Sequence, residues 1–195
     1  MGDRSAFFYG TLMAPQVLHR VIYGTTTPTP IQISRLKIVP ALLNGYMRHR
    51  VRQCDYPAIV PSKMPNACVR GTCVQGLSAE DLWRLDLFEG DQYDRVKVRP
   101  RLLDESGQEM CEIETETYVW TDKEVGLEEG EWDFEEFRRE KMRRWVGGDD
   151  EEYQEVDEAV RESKDPTGGR GANGHITTKL EVKNKNEEGL LRSAV

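Results

Sequence analysis

The chain has 195 residues, with 35 Asp and Glu against 27 Lys and Arg and a net charge of −8. That is room for one ordinary domain plus an appendage, and the acidic balance argues against a nucleic-acid scaffold or a binder of anionic membranes. The longest apolar run falls far short of the ~20 residues that a membrane span needs.

Met1-Gly2-Asp3-Arg4-Ser5 lacks the apolar region of a signal peptide, and Ala6 breaks the myristoylation pattern. Cys54, Cys68, Cys73 and Cys111 form no C-x-x-C pair, so they read as free thiols of a reducing, cytoplasmic protein. Ala6-Phe7-Phe8-Tyr9 reads as a buried strand that Gly10 breaks at once. Thr11-Leu12-Met13 follow, and a helix opens at Pro15, with Val17, Leu18, Val21 and Ile22 on one face and Gly24 as its stop. A strand, a Gly turn and a helix start in quick succession aim several backbone N–H groups at one spot, which can receive a carboxylate or an oxyanion. The residues alone fit a plain tight connection as well, since there is no G-x-G-x-x-G and no Walker lysine.

Ile31 to Leu43 alternates loosely, as one or two strands interrupted at Pro40. Asn44-Gly45 is the strongest turn signal. Tyr46 to Arg52 reads as a half-buried strand whose run Arg48-His49-Arg50-Val51-Arg52 is a solvated basic face. Tyr56 to Pro61 is extended, Ala67 to Val74 is a further strand, and Gln75-Gly76 turns into a helix. Ser78 and Asp81 make a capping box, Leu77 and Leu82 a hydrophobic staple, and Leu82, Leu85 and Phe88 an apolar stripe ended by Gly90. Glu89 therefore sits in the last turn, against the negative end of the helix dipole. A carboxylate there is disfavoured by roughly 0.3–1 kcal/mol and holds its proton more tightly. A local rule broken without local compensation marks a candidate for chemistry, although an exposed, solvated Glu satisfies the same pattern.

Beyond Gly90 the period becomes two. Folding the hairpin about Asp104-Glu105-Ser106-Gly107 pairs Arg99 with Glu112, Lys97 with Glu114, Arg95 with Glu116 and Tyr93 with Tyr118. Val98 then meets Ile113 and Val96 meets Thr115. The charges serve sheet architecture. The Tyr93/Tyr118 rung lies beside Glu89 and can line a pocket, or be a simple aromatic pair. Asp122 to Gly130 is an acidic connection. Asp133 caps a second helix with Glu136 closing the box, Phe134, Phe137, Met142 and Trp145 forming its apolar side. Asp149 to Asp165 has almost no apolar period and reads as a solvated helix or disorder, Pro166 to Gly174 is Gly-rich, and Ile176 to Val195 has too few apolar residues for a core. The domain is placed at residues 3–148 and an acidic, Gly-rich extension, helical or disordered, at 149–195. His19, His49 and His175 show no metal spacing, and no triad or cofactor motif is present.

Phe8-Tyr9-Gly10-Thr11-Leu12-Met13, Tyr56-Pro57-Ala58-Ile59, Val69-Arg70-Gly71, Leu85-Asp86-x-Phe88-Glu89-Gly90-x-x-Tyr93-x-Arg95 and Tyr118-x-Trp120 occur in order between residues about 6 and 146. This set resembles the γ-glutamylcyclotransferase-like family, in particular its plant and fungal branch first described as avirulence-induced proteins. The resemblance implies an α+β fold, a small mixed and mainly antiparallel β-barrel with packed helices. It also implies a pocket at the barrel mouth, with Glu89 as catalytic acid/base and Tyr9, Gly10, Thr11, Leu12, Met13, Tyr93 and Tyr118 as substrate-binding residues. Thr11 stands where the family's γ-glutamyl enzymes often carry Ser, which keeps a hydroxyl and adds a methyl. The implied reaction is attack of a substrate α-amine on its own γ-carbonyl, releasing 5-oxoproline and an amine or amino acid with neither cofactor nor metal. The expected partner is a small γ-glutamyl substrate, with neither nucleic acid nor membrane, and the sequence leaves the oligomeric state open. Two other readings stand beside it: a different acylamine-processing enzyme on the same scaffold, and a non-catalytic module that binds a metabolite or recruits a partner.

Overall fold

The N-terminal aromatic run forms β1 (Arg4–Phe8) in the computed structural model, which describes residues 2–122, 126–146 and 151–162. After it come a 3-10 turn (Thr11–Met13) and α1 (Pro15–Tyr23), which Pro15 opens and Gly24 closes. Next are α2 (Pro30–Arg35), β2 (Lys37–Asn44), β3 (Tyr46–Arg50), β4 (Pro57–Pro61) and β5 (Cys68–Leu77). Then follow α3 (Ala79–Glu89), a 3-10 turn (Gly90–Gln92), β6 (Tyr93–Val98), β7 (Arg101–Leu103), β8 (Glu109–Glu112) and β9 (Thr115–Trp120). The last described residues are helical: α4 (Phe134–Glu136), a π-helical segment (Phe137–Lys141), α5 (Met142–Val146) and α6 (Glu151–Glu162).

Seven strands form one sheet in the order β6-β9-β1-β5-β2-β7-β8, and β3 and β4 form a separate ribbon. The pairing of β1 with β9 is parallel, whereas β1 with β5 and β2 with β5 are antiparallel. The α+β class is as expected, but the sheet is open. Closure into a barrel needs a last hydrogen-bonded strand pair, and β6 and β8 are instead its two edges. Alternation along β1 sends Ala6 and Phe8 to one face and Phe7 and Tyr9 to the other, and all four are buried. The first face carries the helical core, with Val17, Leu18 and Val21 of α1, Leu82 and Leu85 of α3, and Phe137 and Trp145. Against the second face pack Ala41 and Leu43 of β2, Val69 of β5 and Ile59 from the ribbon.

Residues 31–43 differ from the strand reading at their start. Thr29 accepts from the Gln32 amide at 3.3 Å, and the Gln32 side chain accepts from the Thr29 amide at 2.8 Å. This T-x-x-Q capping box, with Pro30 in first position, nucleates α2 and outweighs the alternation of Ile31 and Ile33, both left exposed. Pro40 does not interrupt β2: it faces Thr72 of β5, outside the short pairing of Ala41 and Leu42 with β7. Nor does Gln75-Gly76 end β5. Gly76, at φ 93°, is an extra residue between the Arg4–Leu77 and Ser5–Gln75 pairs, so the strand bulges and continues.

The expected hairpin register is displaced by two. Tyr93 faces Trp120, Arg95 faces Tyr118, Lys97 faces Glu116 and Val98 faces Thr115. The reason is a break at Pro100, after which β7 leaves to pair with β2. A shift of two preserves which face each residue occupies. Arg95 and Lys97 still reach Glu116 and Glu114 diagonally, at 2.7 and 3.4 Å, while Arg99 turns to Glu114 rather than Glu112.

Asp133 caps α4 by accepting from the Glu135 and Glu136 amides, but Glu136 gives its carboxylate to Arg50 and closes no box. Arg48 likewise pairs with Glu131 at 2.9 Å with its side chain mostly buried, so these two arginines are held by the protein rather than forming a solvated face. The segment expected as a solvated helix or disorder forms α6 over 151–162, and Tyr153 and Val156 bury against the helical layer. Arg20 of α1 holds Asp157 at 2.7 Å and lies 4.8 Å above the Tyr153 ring. The boundary proposed at Gly148 and the expectations for 163–195 fall outside the described residues. Among the described residues no helix is long and apolar enough to cross a membrane.

Candidate active site

A cavity of about 270 Å³ opens where β1 gives way to its 3-10 turn, opposite the last turn of α3. The turn contributes Tyr9, Gly10, Thr11 and Leu12, and α3 contributes Phe88 and Glu89. Tyr93 enters from β6 and Tyr118 from β9, so the residues singled out in sequence converge on one space, Met13 excepted. The Met13 amide donates to the Gly10 carbonyl at 3.0 Å to close the turn, and its side chain packs on the helical core instead.

Local chemistry explains how the two polar walls are held. Met13 and Ala14 amides spend themselves on the Gly10 and Thr11 carbonyls. The amides of Gly10, Thr11 and Leu12 come earlier, where a helical turn leaves N–H groups with no partner inside it. At Gly10 the backbone runs against Pro57: a Cβ there would sit 2.8 Å from the proline ring. On the other wall the Ser78/Asp81 capping box forms in both directions. Gly90, at φ 66°, then stops α3 directly after Glu89 in a backbone conformation that side chains disfavour.

Around Glu89 stand three phenols. Burial pushes the Tyr9, Tyr93 and Tyr118 hydroxyls well above the usual tyrosine range, and the charge of Glu89 adds to the shift of each. The hydroxyls therefore stay protonated. Tyr9 donates to the Tyr118 carbonyl at 2.7 Å and Tyr93 to the Pro57 carbonyl at 3.0 Å. Tyr118 donates to Asp86 at 2.8 Å. Burial raises the Asp86 carboxyl too, against the opposing pull of the Tyr118 hydrogen bond and of Arg95. Arg95 sits 3.0 Å from Asp86 and also holds Glu116, so the site is anchored to the charged face of the sheet.

Several residues of the site went unrecognised in sequence. Tyr56 and Pro57 stood out as a motif without a role, and Trp145 only as part of an apolar face, yet all three line the cavity. Arg48 hides behind it, donating to the Tyr9 carbonyl at 2.9 Å and to Glu131. Nothing in the spacing of Arg48 marks that contact. Among the described residues no group of three or more His, Cys, Asp or Glu side chains could hold a metal ion.

A family model described as gamma-glutamyl cyclotransferase, AIG2-like, matches residues 6–134. Protein AIG2 C of Arabidopsis thaliana is 37% identical over 136 residues, which is 70% of this chain and 73% of that protein. AIG2-like protein B of the same plant is 33% identical over 141 residues, 72% of each. A solution structure of an Arabidopsis thaliana protein aligns with a TM-score of 0.52 at 30% identity, covering 85% of this chain and 86% of that one.

Proposed function

Because the chain belongs to the gamma-glutamyl cyclotransferase, AIG2-like family, we propose that it is itself a γ-glutamylcyclotransferase, with Glu89 as general acid and base. A γ-glutamyl amide carries its own nucleophile. Glu89 takes a proton from the substrate's α-ammonium group, and the freed amine attacks the γ-carbonyl carbon. The carbonyl electrons move onto oxygen, and the amides of Gly10, Thr11 and Leu12 stabilise the charge that develops there. As this intermediate collapses the amide C–N bond breaks and the departing amine receives the proton from Glu89; the attacking nitrogen then gives up its second proton through the same carboxylate, so the lactam keeps one N–H and the amine leaves as an ammonium ion. The products are 5-oxoproline and an amine, with no water consumed.

One carboxylate suffices because each proton it takes from the attacking nitrogen is handed to the departing amine before the next is taken. The reaction is also intramolecular, so orienting the chain supplies several kcal/mol of the barrier reduction. The tyrosines orient the substrate. They are held neutral and are tied to the protein through their hydroxyl hydrogens. The observation that carries the reading is the common lining of one cavity by Glu89, the Gly10–Leu12 turn and three phenols that sense the Glu89 charge.

The test is 5-oxoproline release from a panel of γ-glutamyl amides. Glu89→Gln is expected to lower kcat by about 10²- to 10⁴-fold with an unchanged melting curve. Equal turnover by this variant removes Glu89 from the reaction. Glu89-dependent turnover of another acylamine without 5-oxoproline assigns the scaffold to a different reaction.

A further inference from the structure

A peptide group joins the carbonyl of one residue to the amide of the next, and its partial double bond couples the two ends. A hydrogen bond accepted by the oxygen therefore polarises the following N–H and makes it a stronger donor. Two of the amides assigned above to the developing oxyanion are backed in this way by the turn itself. The Gly10 carbonyl, in the peptide of the Thr11 amide, accepts from Met13 at 3.0 Å. The Thr11 carbonyl, in the peptide of the Leu12 amide, accepts from Ala14 at 3.0 Å. The Gly10 amide shares its peptide with the Tyr9 carbonyl, which lies ahead of the turn. There the backing comes from a side chain: Arg48 Nη1 donates to the Tyr9 carbonyl at 2.9 Å.

Arg48 stands in the middle of β3, opposite Ile59 of β4, and its side chain is 11% exposed. Nη1 also reaches the Arg70 carbonyl at 3.3 Å, Nη2 donates to Glu131 at 2.9 Å, and the guanidinium lies 5.7 Å from the Trp132 ring centroid. This is a costly way to hold a strand. The Nε–H is buried and finds no hydrogen-bond partner among the described residues, which takes stability away rather than adding it. The Glu131 side chain is 72% exposed, so water screens that pair and the positive charge is only partly offset. Among the described residues that line the cavity Glu89 is the one charged side chain, and there is no Lys, Arg or His. Burial and Glu89 raise the Tyr9 hydroxyl, and the Arg48 charge opposes both, so the field of this cation reaches the cavity wall.

We propose that Arg48 is a positioning residue of the reaction: from behind the cavity wall its charge polarises the Tyr9–Gly10 peptide and strengthens the Gly10 N–H toward the oxyanion. This rests on the cyclotransferase reading above and adds the source of positive charge for a site whose lining holds none. Arg48 does not line the cavity and moves no proton. The negative charge on the oxygen exists only once the amine has attacked. The benefit therefore falls on kcat and leaves KM nearly unchanged.

The experiment reads kinetics and the amide spectrum of the full chain. Arg48→Met keeps an apolar stem and deletes the charge, and Arg48→Gln keeps a neutral donor. Arg48→Lys keeps the charge and gives up the planar fork. On the γ-glutamyl amide that the wild type cleaves fastest, Arg48→Met and Arg48→Gln are expected to lower kcat about tenfold, with KM within about twofold. That is less than the ~10²- to 10³-fold loss of deleting an oxyanion donor outright. Arg48→Lys is expected to return kcat to within about threefold of the wild type. In ¹⁵N-labelled protein the Gly10 amide nitrogen is expected to shift upfield in Arg48→Met, while Thr11 and Leu12, backed by Met13 and Ala14, hold their positions. An unmoved Gly10 resonance overturns the proposal, and so does an unchanged kcat. An Arg48→Lys variant no better than Arg48→Gln overturns it too, because that is the mark of a purely structural arginine. If Arg48→Met fails to fold, the comparison of Lys with Gln decides on the same two readouts. If the wild type releases no 5-oxoproline from any γ-glutamyl amide, the cyclotransferase reading fails by itself. Arg48 is then judged by the Gly10 resonance and by calorimetry with 5-oxoproline, an anion. Binding about tenfold weaker in Arg48→Gln than in the wild type, and recovered in Arg48→Lys, upholds the polarised turn. Equal binding or none sinks it.

Discussion

Tyr118 links the cavity to the sheet through a single hydroxyl, and two consequences follow at the scale of that residue. Tyr118→Phe removes the donor from Asp86 and leaves its carboxylate to Arg95 alone. A hydrogen bond to a charged acceptor contributes roughly 1.5–3 kcal/mol, so urea unfolding at neutral pH is expected to show a loss of about 2 kcal/mol. Asp86 already holds its proton more tightly than an ordinary carboxylate because of burial, and the Tyr118 bond opposes that shift. A raised folded-state pKa means that the native state binds the proton first, so this group returns stability on acidification. The deficit of the variant is therefore expected to shrink as the pH falls through the carboxylate range. Gly10 offers a second case. Its break of the aromatic run was legible from sequence, but the contact that demands a glycine was not, because Pro57 lies far along the chain. Gly10→Ala is expected to push the Pro57 ring out of place, costing about 1–3 kcal/mol of stability. Turnover should fall with it, because the Pro57 carbonyl holds the Tyr93 hydroxyl.

Among the elements, those with end signals in their own sequence were readable. Ser78/Asp81 with Gly90 bound α3, and Pro15 with Gly24 bound α1, which is why Glu89 could be placed in a last turn at all. Misreadings arose where two local signals competed, as at Thr29–Gln32, or where the deciding partner was distant, as when β7 left the hairpin to join β2. α6 belongs to the second kind. Two buried residues, Tyr153 and Val156, are too few to show as a period amid so many acids, and what seats them is α1, α3 and Arg20. Tyr153 stacks on Phe88 at 5.7 Å, and Phe88 lines the cavity next to Glu89. Tyr153→Ala is expected to cost about 3–5 kcal/mol in urea unfolding, as other buried aromatic truncations do. Asp157→Asn, which loses a partly exposed pair with Arg20, is expected to cost about 1 kcal/mol or less. A loss of that size on Tyr153→Ala, with none on Asp157→Asn, would assign the seating of α6 to packing alone.

Over the whole molecule, the shifts of His19 and Asp157 on the acid side and of Cys73 and the phenols on the alkaline side narrow the pH range of stability, with Asp86 opposing the acid loss. Desolvation depresses His19 from its ordinary 6.5. The unfolded chain then binds that proton first, so stability falls as the pH drops through 6.5. Asp157, held down mainly by its hydrogen bond to Arg20, adds a loss in stronger acid, below 3.8. On the alkaline side burial pushes the Cys73 thiol from 9.0 up to about 12, so its contribution is intact below 9 and disappears as the pH climbs towards 12. The raised phenols of Tyr9, Tyr93 and Tyr118 act in the same direction above 10. Urea midpoints measured across the pH scale should therefore form a dome that falls steeply beyond pH 9, and Cys73→Ala should flatten that fall. An alkaline limb unchanged by Cys73→Ala would leave the phenols as its source.

Of the strands described, β1 is made first, yet its two neighbours in the sheet are drawn from 68–77 and 115–120. The Thr117 hydroxyl closes on the Phe7 carbonyl across 110 positions of chain. During synthesis, Ala6-Phe7-Phe8-Tyr9 therefore waits uncovered for on the order of ten seconds at ordinary elongation rates. Nascent chains stalled before residue 115 should be cut by protease within this aromatic run and retained by chaperones. Chains released past α6 should resist both, because the earliest of these strands is among the last to find its place.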